Sequence, residues 1–346
     1  MLSSPGGAAP FLIISVNCLE FLANLCNKNT VKKFIIKLLI LTFSMVLVLH
    51  VITILVDRGL RKTGHPTWAV WNDILTRKSE CDIYIQGSSK AWISVSPKII
   101  ESATDKKVYN FGVEGYPLDV QLGRYKLYRR YNKKPMTIIQ ILDGGSLEKR
   151  NDLFGKEQFL PYYDEECIIE SINTIKGFNK IGYQLPFFKY MGEANSCMIG
   201  ILEALNITHE KFDGYKGYLG QERTWNDDFG KFVKEHPNGV IFDISAKILH
   251  DFEKFILTCK EENIEIILIY APEYYEVNNY FKNKPEVIEV YKSLSIKYQI
   301  EFYDFSDSYL SKDKKYLYNS QHLNKYGSEL FTEEIAKILK NKTEFN

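Results

Sequence analysis

The stretch from Leu38 to Val56 reads "LLILTFSMVLVLHVITILV", nineteen residues without a formally charged side chain. At ~1.5 Å per residue a helix of that length crosses a hydrocarbon core of ~30 Å. It is too long, and begins too far into the chain, for the apolar core of a cleaved secretion signal. One transmembrane helix over residues 34–57 is therefore expected, and everything after it belongs to one side of a membrane. Lys28, Lys32, Lys33 and Lys37 precede or open the run, while Arg58, Arg61 and Lys62 follow it. Positive charge is nearly tied between the flanks, so it assigns no side. Residues 1–33 read as a leader, either disordered or the product of a misjudged start. Phe11 to Cys26 is apolar but short and broken by Asn17 and Glu20, which argues against a second crossing. Leu25 is too bulky to precede a lipidated Cys26.

Residues 58–80 read as a polar, proline-containing linker that turns helical, and residues 81–346 as a single α/β domain. Five apolar runs mark strands: Asp82–Gln86, Lys107–Phe111, Met136–Leu142, Ile264–Tyr270 and Ile300–Phe305. They are continuous rather than alternating, as strands covered on both faces are. Helical patterns separate them, so the expected fold is a doubly wound, mostly parallel five-stranded sheet with helices on both faces. The third and fourth runs are separated by an insertion at about 144–239, too long for an idle loop. The net charge of +1 includes no extended basic block, which argues against a nucleic-acid partner. Six cysteines form no CxxC pair and no histidine-spaced set, so neither a metal nor another cofactor is expected. A disulfide among Cys167, Cys197 and Cys259 is open in an oxidising compartment, with buried small side chains as the plainer reading.

In doubly wound sheets ligands bind beyond the carboxyl ends of the strands. The residues there are Gly87-Ser88-Ser89, Gly112-Val113-Glu114-Gly115, Asp143-Gly144-Gly145-Ser146, Glu273 and Asp307, with the loop "YNSQHLNKYG" (318–327) before the last helix. A serine needs a base within hydrogen-bond reach and donors for an oxyanion. Of six histidines, His322 is the one in a polar loop on this side; His50 lies in the apolar run, His65 in the linker, and His209, His236 and His250 in the insertion or on helices. A turn-forming serine pair is the rival reading of Ser88-Ser89. A phosphate cradle lacks the G-x-x-x-x-G-K-[ST] signature, and G-x-S-x-G is absent too.

Gly87-Ser88-Ser89, "YNFGVEGYP" and "NSQHLNKYG" together resemble the SGNH/GDSL hydrolase superfamily, from about Asp82 to the end. The resemblance is strongest to its membrane-anchored branch in bacterial surface-glycan loci, related to alginate O-acetylation and teichoic acid D-alanylation proteins. It implies a flavodoxin-like, SGNH-type sheet, a nucleophile at Ser89, and a base at His322. It also implies an oxyanion site from the backbone N–H groups of Ser89 and Gly115. The family's Asp-x-x-His carries Asn319 at the acid position here, which leaves a Ser–His dyad, a substitute acid such as Asp307, or loss of activity. Where the family has Gly-x-Asn-Asp, this chain has "LDGGS", so the third donor is missing or is a backbone N–H of Gly144 or Gly145. Ser88 stands where the family has aspartate.

The expected protein is thus an esterase or O-acyltransferase acting on ester-linked, typically acetyl, groups of a surface glycan. The resemblance places it in a bacterial inner membrane, its domain on the extracytoplasmic side, alongside a membrane acyltransferase. The competing expectation is an inactive module that binds glycan or scaffolds that acyltransferase. Two smaller expectations concern the insertion and the fifth strand. "FLPYYDEE" and "YQLPFFKYMG" line a sugar cleft or form the insertion's core, and Asp304 caps a turn. Asn206-Ile207-Thr208, a formal glycosylation acceptor, reads as a helix-cap region.

Overall fold

The computed structural model describes residues 28–345. Two compact units divide the chain, residues 1–55 and 56–346. Helix α1 begins at Lys28 in the first and ends at Leu60 in the second. It is long and apolar enough to cross a membrane. Its apolar side chains, Phe34, Leu39, Leu41 and Phe43 among them, stay exposed, as on a helix that is hydrophobic all round. The leader read over residues 1–33 falls outside the described residues up to position 27, and from Lys28 it is already helix.

The second unit opens with α2 (Pro66–Leu75), where Pro66 holds the first position and the His65 ring nitrogen caps the helix by accepting from the Thr67 N–H at 3.2 Å. Trp68, Trp71 and Ile74 on this helix are buried. The middle of residues 58–80 is therefore packed core and not the polar linker expected, because the two tryptophans decide how this helix packs.

The elements that follow are β1 (Ile83–Gln86), α3 (Ser89–Trp92), α4 (Pro97–Thr104), β2 (Val108–Asn110), α5 (Leu118–Tyr131) and β3 (Thr137–Leu142). The insertion holds only short helices: α6 (Glu166–Ile172), α7 (Lys180–Gln184), α8 (Ala194–Ala204) and α9 (Phe229–Glu235). Then come α10 (Ala246–Glu261), β4 (Glu265–Tyr270), α11 (Tyr275–Tyr280), α12 (Lys284–Tyr298), β5 (Glu301–Asp304), α13 (Tyr309–Lys312) and α14 (Lys325–Phe345). All five strands pair in parallel, in the order β2-β1-β3-β4-β5.

Alternate side chains of each strand feed opposite cores. Tyr84, Ile138, Leu268 and Tyr270 pack with α5, α10 and α12, whereas Ile85, Ile139, Ile141 and Ile269 pack with α4 and α14. Both faces being covered explains why the strands read as unbroken apolar runs. The chain steps from β1 to β2 under one face and returns to β3 over the other. That reversal opens a crevice at the carboxyl ends of β1 and β3.

Candidate active site

Gly87 closes β1, and a Cβ there would lie 2.8 Å from the Ala91 Cβ and 2.9 Å from the Ile141 carbonyl oxygen. Only glycine lets the chain turn this tightly from strand into α3. Ser88 caps that short helix, and its hydroxyl donates to Asp143 Oδ2 at 2.6 Å. Ser89, one residue on, points another way: its Oγ lies 2.8 Å from His322 Nε2. The two serines thus have separate partners, and Asp143 engages the one that is not facing the histidine.

The His322 ring is held from behind by Asn319, whose Oδ1 lies 3.0 Å from Nδ1. The same oxygen accepts the Gln321 backbone N–H at 3.0 Å. A backbone N–H can only donate, so the atom facing both groups is the amide oxygen and Nδ1 carries the hydrogen. Nε2 is then the lone-pair nitrogen, aimed at the Ser89 hydroxyl. Burial, and next the positive charge of Lys90, hold the imidazole well below its ordinary value of 6.5. It is therefore neutral at neutral pH.

The histidine loop is fastened on several sides. Leu317 and Leu323 pair across it, and the Tyr318 ring stacks parallel to the imidazole with centroids 5.5 Å apart. Asp228 accepts from the Ser320 N–H at 2.8 Å and from its hydroxyl at 3.0 Å. From α3, the Lys90 ammonium donates to the Gln321 carbonyl and pairs with Glu273 at 2.6 Å. Lys90 and Glu273 are both buried. Burial pushes the Glu273 carboxyl up and Lys90 pulls it down. A buried pair of this kind fixes geometry more than it adds stability. Here it joins the helix of Ser89 to the loop of His322.

The loop after β2 is built as firmly. Asn110 donates to the carbonyls of Ala91 and Val95 at 2.7 and 2.8 Å and accepts from the Gly112 N–H at 2.9 Å. Arg124, buried with its guanidinium 3.7 Å from the Trp71 ring centre, donates to the Phe111 and Gly112 carbonyls. Burial lowers this guanidinium to about 10. At Gly115 φ is +72° and a Cβ would sit 3.1 Å from Phe154, so the position favours glycine. Ser89 and Gly115 line one pocket of about 420 Å³, with Gly144 and Gly145 beside them. Neither the Ser89 nor the Gly115 N–H has a hydrogen-bond partner among the described residues.

Of the residues read from sequence, Ser89, His322 and Asn319 come together, and Gly115 and Gly144 line the pocket that Ser89 lines. Asp307 does not join them. It follows β5 on an outward turn, its side chain 89% exposed and 3.6 Å from Lys312, so Asn319 and not an acid meets the far side of the imidazole. Asp304 does cap its turn, accepting from the Ser306 N–H at 2.9 Å. The aromatic clusters split: Phe159 and Tyr162 are buried, while Tyr183 and Leu185 are exposed. The rings in the pocket wall are instead Tyr116, Phe232, Phe242 and Phe281, with His236. Lys90, Asn110 and Arg124 were not singled out from the sequence, and Asp143 was named only as a strand-end residue. Their signal is a polar residue inside or at the end of an apolar or helical run, a pattern many structural residues share. Cys81, Cys167, Cys197 and Cys259 are all free thiols. Among the described residues no group of three or more histidine, cysteine or acidic side chains is placed to hold a metal.

No protein-family model matches the chain, and no curated protein is recognisably similar to it.

Proposed function

We propose that this chain is a membrane-anchored serine esterase or O-acyltransferase of SGNH/GDSL type, acting on ester-linked acyl groups of a bacterial surface glycan. The observation that carries the reading is the 2.8 Å approach of Ser89 Oγ to an imidazole whose tautomer is set for accepting a proton. The strand order 2-1-3-4-5 is the flavodoxin-like one, and it lends support by putting both groups at the crevice where such sheets bind ligands. The extracytoplasmic side and an acyltransferase partner rest on the sequence resemblance.

In the proposed reaction Ser89 Oγ attacks the acyl carbonyl while its proton passes to His322 Nε2. The carbonyl oxygen becomes an anion held by the Ser89 and Gly115 N–H groups, with a Gly144 N–H as a third donor. The intermediate collapses, Nε2–H protonates the departing alcohol, and the acyl group stays on Ser89. Water or a sugar hydroxyl then gives its proton to Nε2 and attacks the acyl carbon. Collapse of the second intermediate returns the proton to Ser89. Esterase and transferase differ only in that acceptor. Replacing the triad aspartate by asparagine in serine proteases costs about 10⁴ in kcat because the wrong tautomer results. Asn319 avoids that loss through its bond to the Gln321 N–H, though it cannot offset the imidazolium charge.

The test uses a fluorophosphonate probe and a chromogenic acetyl ester on wild type and Ser89→Ala. Labelling of the Ser89 peptide and turnover that the substitution abolishes are expected. Wild-type protein that neither labels nor turns over ester would leave the glycan-binding or scaffolding module as the better account.

A further inference from the structure

From Val56 onward, sixteen large hydrophobic side chains are exposed among the described residues. Seven of them fall within residues 181–207 of the insertion, which is a cluster and not the single scattered exposures normal for a protein surface. Ile181, Tyr183 and Leu185 come from α7 and its end, and Met191 follows. Met198, Leu205 and Ile207 come from α8 and its end. None of these seven lines the catalytic pocket.

Both parts of the cluster are fastened to the same short piece of chain. Gly200 of α8 packs so closely on Val56 that a Cβ would lie 2.7 Å from the Val56 carbonyl oxygen, and a Cβ on Gly59 would overlap the Gly200 carbonyl. Lys189, between α7 and α8, pairs with Asp57 at 2.7 Å, and the Tyr190 hydroxyl donates to the same carboxylate. Glu203 and Glu210 hold residues just after α1, through Thr63 at 3.3 Å and the Gly64 N–H at 3.0 Å. The stretch that carries the exposed side chains is therefore clamped to residues 56–64, the segment at which the chain enters this unit. Immediately before it comes the apolar run of α1. Exposed Arg58 and Lys62 lie in the same segment, the cations that anionic headgroups attract.

We propose that the face formed by residues 181–207 docks on the lipid surface, its side chains reaching the boundary between headgroups and acyl chains. The catalytic unit is then seated on the bilayer and does not swing from a tether. The proposal rests on the reading of α1 as a span. A chain leaving the hydrocarbon near Val56 has moved only a few ångströms along the bilayer normal by Gly59, at ~1.5 Å per residue. Groups clamped to Val56 and Gly59 must therefore lie within the ~5–10 Å depth of interfacial binding.

The test uses the full chain in nanodiscs of phosphatidylcholine with phosphatidylglycerol. Single cysteines replace Met45 in α1, Leu205 in the face, or Ile296, which is 78% exposed on α12. Cys18, Cys26, Cys167 and Cys197 are changed to serine. Each cysteine carries an environment-sensitive fluorophore, and lipids spin-labelled near the headgroup or deep in the chain act as quenchers. Quenching at Leu205→Cys by the headgroup-proximal label, about threefold above that at Ile296→Cys, is expected. Deep quenching at Met45→Cys with none at Leu205→Cys would overturn the docking and leave the span. No quenching at Met45→Cys would overturn both. Disulfide cross-linking of Leu205→Cys between chains, without lipid quenching, would assign the face to a second copy and also overturn the proposal.

Discussion

The rim that carries Ser89 and His322 and the outer face of the insertion are built on opposite terms. At the rim, Ser89 and His322 are 233 residues apart in sequence, yet polar groups converge there with partners inside the fold. The Ser89 hydroxyl meets the imidazole, the imidazole meets Asn319, and Lys90 meets both Glu273 and the Gln321 carbonyl. The face over residues 181–207 comes from one stretch of chain, and apart from the Tyr183 ring, which meets Tyr163 and Phe178, it is marked by exposed apolar side chains. The rim is thus finished before any ligand arrives, which is what a preorganised reaction centre requires. Under the proposed docking, the face is completed by lipid outside the chain. Each can be perturbed without the other, and the size of the effect should follow this division.

The largest effect belongs to the reacting atom. Ser89→Ala removes one hydroxyl from a half-buried position, so ester turnover should fall by about 10³-fold or more. Unfolding free energy should change by no more than about 1 kcal/mol. Turnover that survives the substitution would place the chemistry elsewhere. Next comes the pair beneath the rim. Lys90→Met leaves the Glu273 carboxylate buried without its cation, a loss that costs about 3–5 kcal/mol in comparable sites. Adding Glu273→Gln should recover part of that loss, since no uncompensated charge then remains. Denaturant unfolding of the detergent-solubilised chain measures both. A Lys90→Met cost below about 1 kcal/mol would mean that the rim is not held from within.

These two sites also differ in how visible they are in the sequence. The strands were legible because a sheet covered on both faces demands unbroken runs such as Ile264–Tyr270, and the observed β4 lacks only the first residue of that run. Ser89 was legible because it follows the first strand on the side where such sheets bind ligands, and His322 because it lies in the polar loop leading into the last helix. Lys90 was not, because a lysine at the second position of a short helix looks solvated until tertiary packing buries it; Glu273 was read as a strand-end residue, but its pairing with Lys90 was not. Residues 58–80 misled for the converse reason. Apart from Asp73 their charges lie at the ends, while Trp68 and Trp71 in the middle decide the packing. The insertion's aromatic clusters misled too, because ring content alone does not distinguish a cleft, a core and an exposed face.

A smaller effect is expected at Asn319. Catalysis needs His322 neutral, so activity is lost as pH falls through its pKa, which burial and Lys90 hold well below 6.5. Asn319→Asp places a carboxylate against Nδ1–H and favours the imidazolium, raising that pKa by about 1–3. The acid limb of kcat/KM should therefore move to higher pH by the same amount. Above the limb, kcat should rise by about tenfold, because the charge formed on the ring is now offset. An unmoved limb would mean that residue 319 does not govern the imidazole electrostatically, whatever its distance.

The smallest effect is expected at the outer face, and that smallness sharpens the contrast. Leu205 and Ile207 are 56% and 64% exposed, so in the folded chain they have little left to lose. Leu205→Glu with Ile207→Glu should shift the unfolding free energy of the detergent-solubilised protein by no more than about 0.5 kcal/mol per site. Turnover of a small soluble ester should stay unchanged, because neither residue reaches the catalytic pocket. The same pair of carboxylates facing anionic lipid should weaken whatever the bilayer contributes. The variant ought therefore to match wild type in detergent and unfold earlier than wild type in nanodiscs containing phosphatidylglycerol. Equal thermal midpoints in both media would mean that the bilayer leaves this surface uncovered. A large loss already in detergent would show that the side chains are packed within the unit.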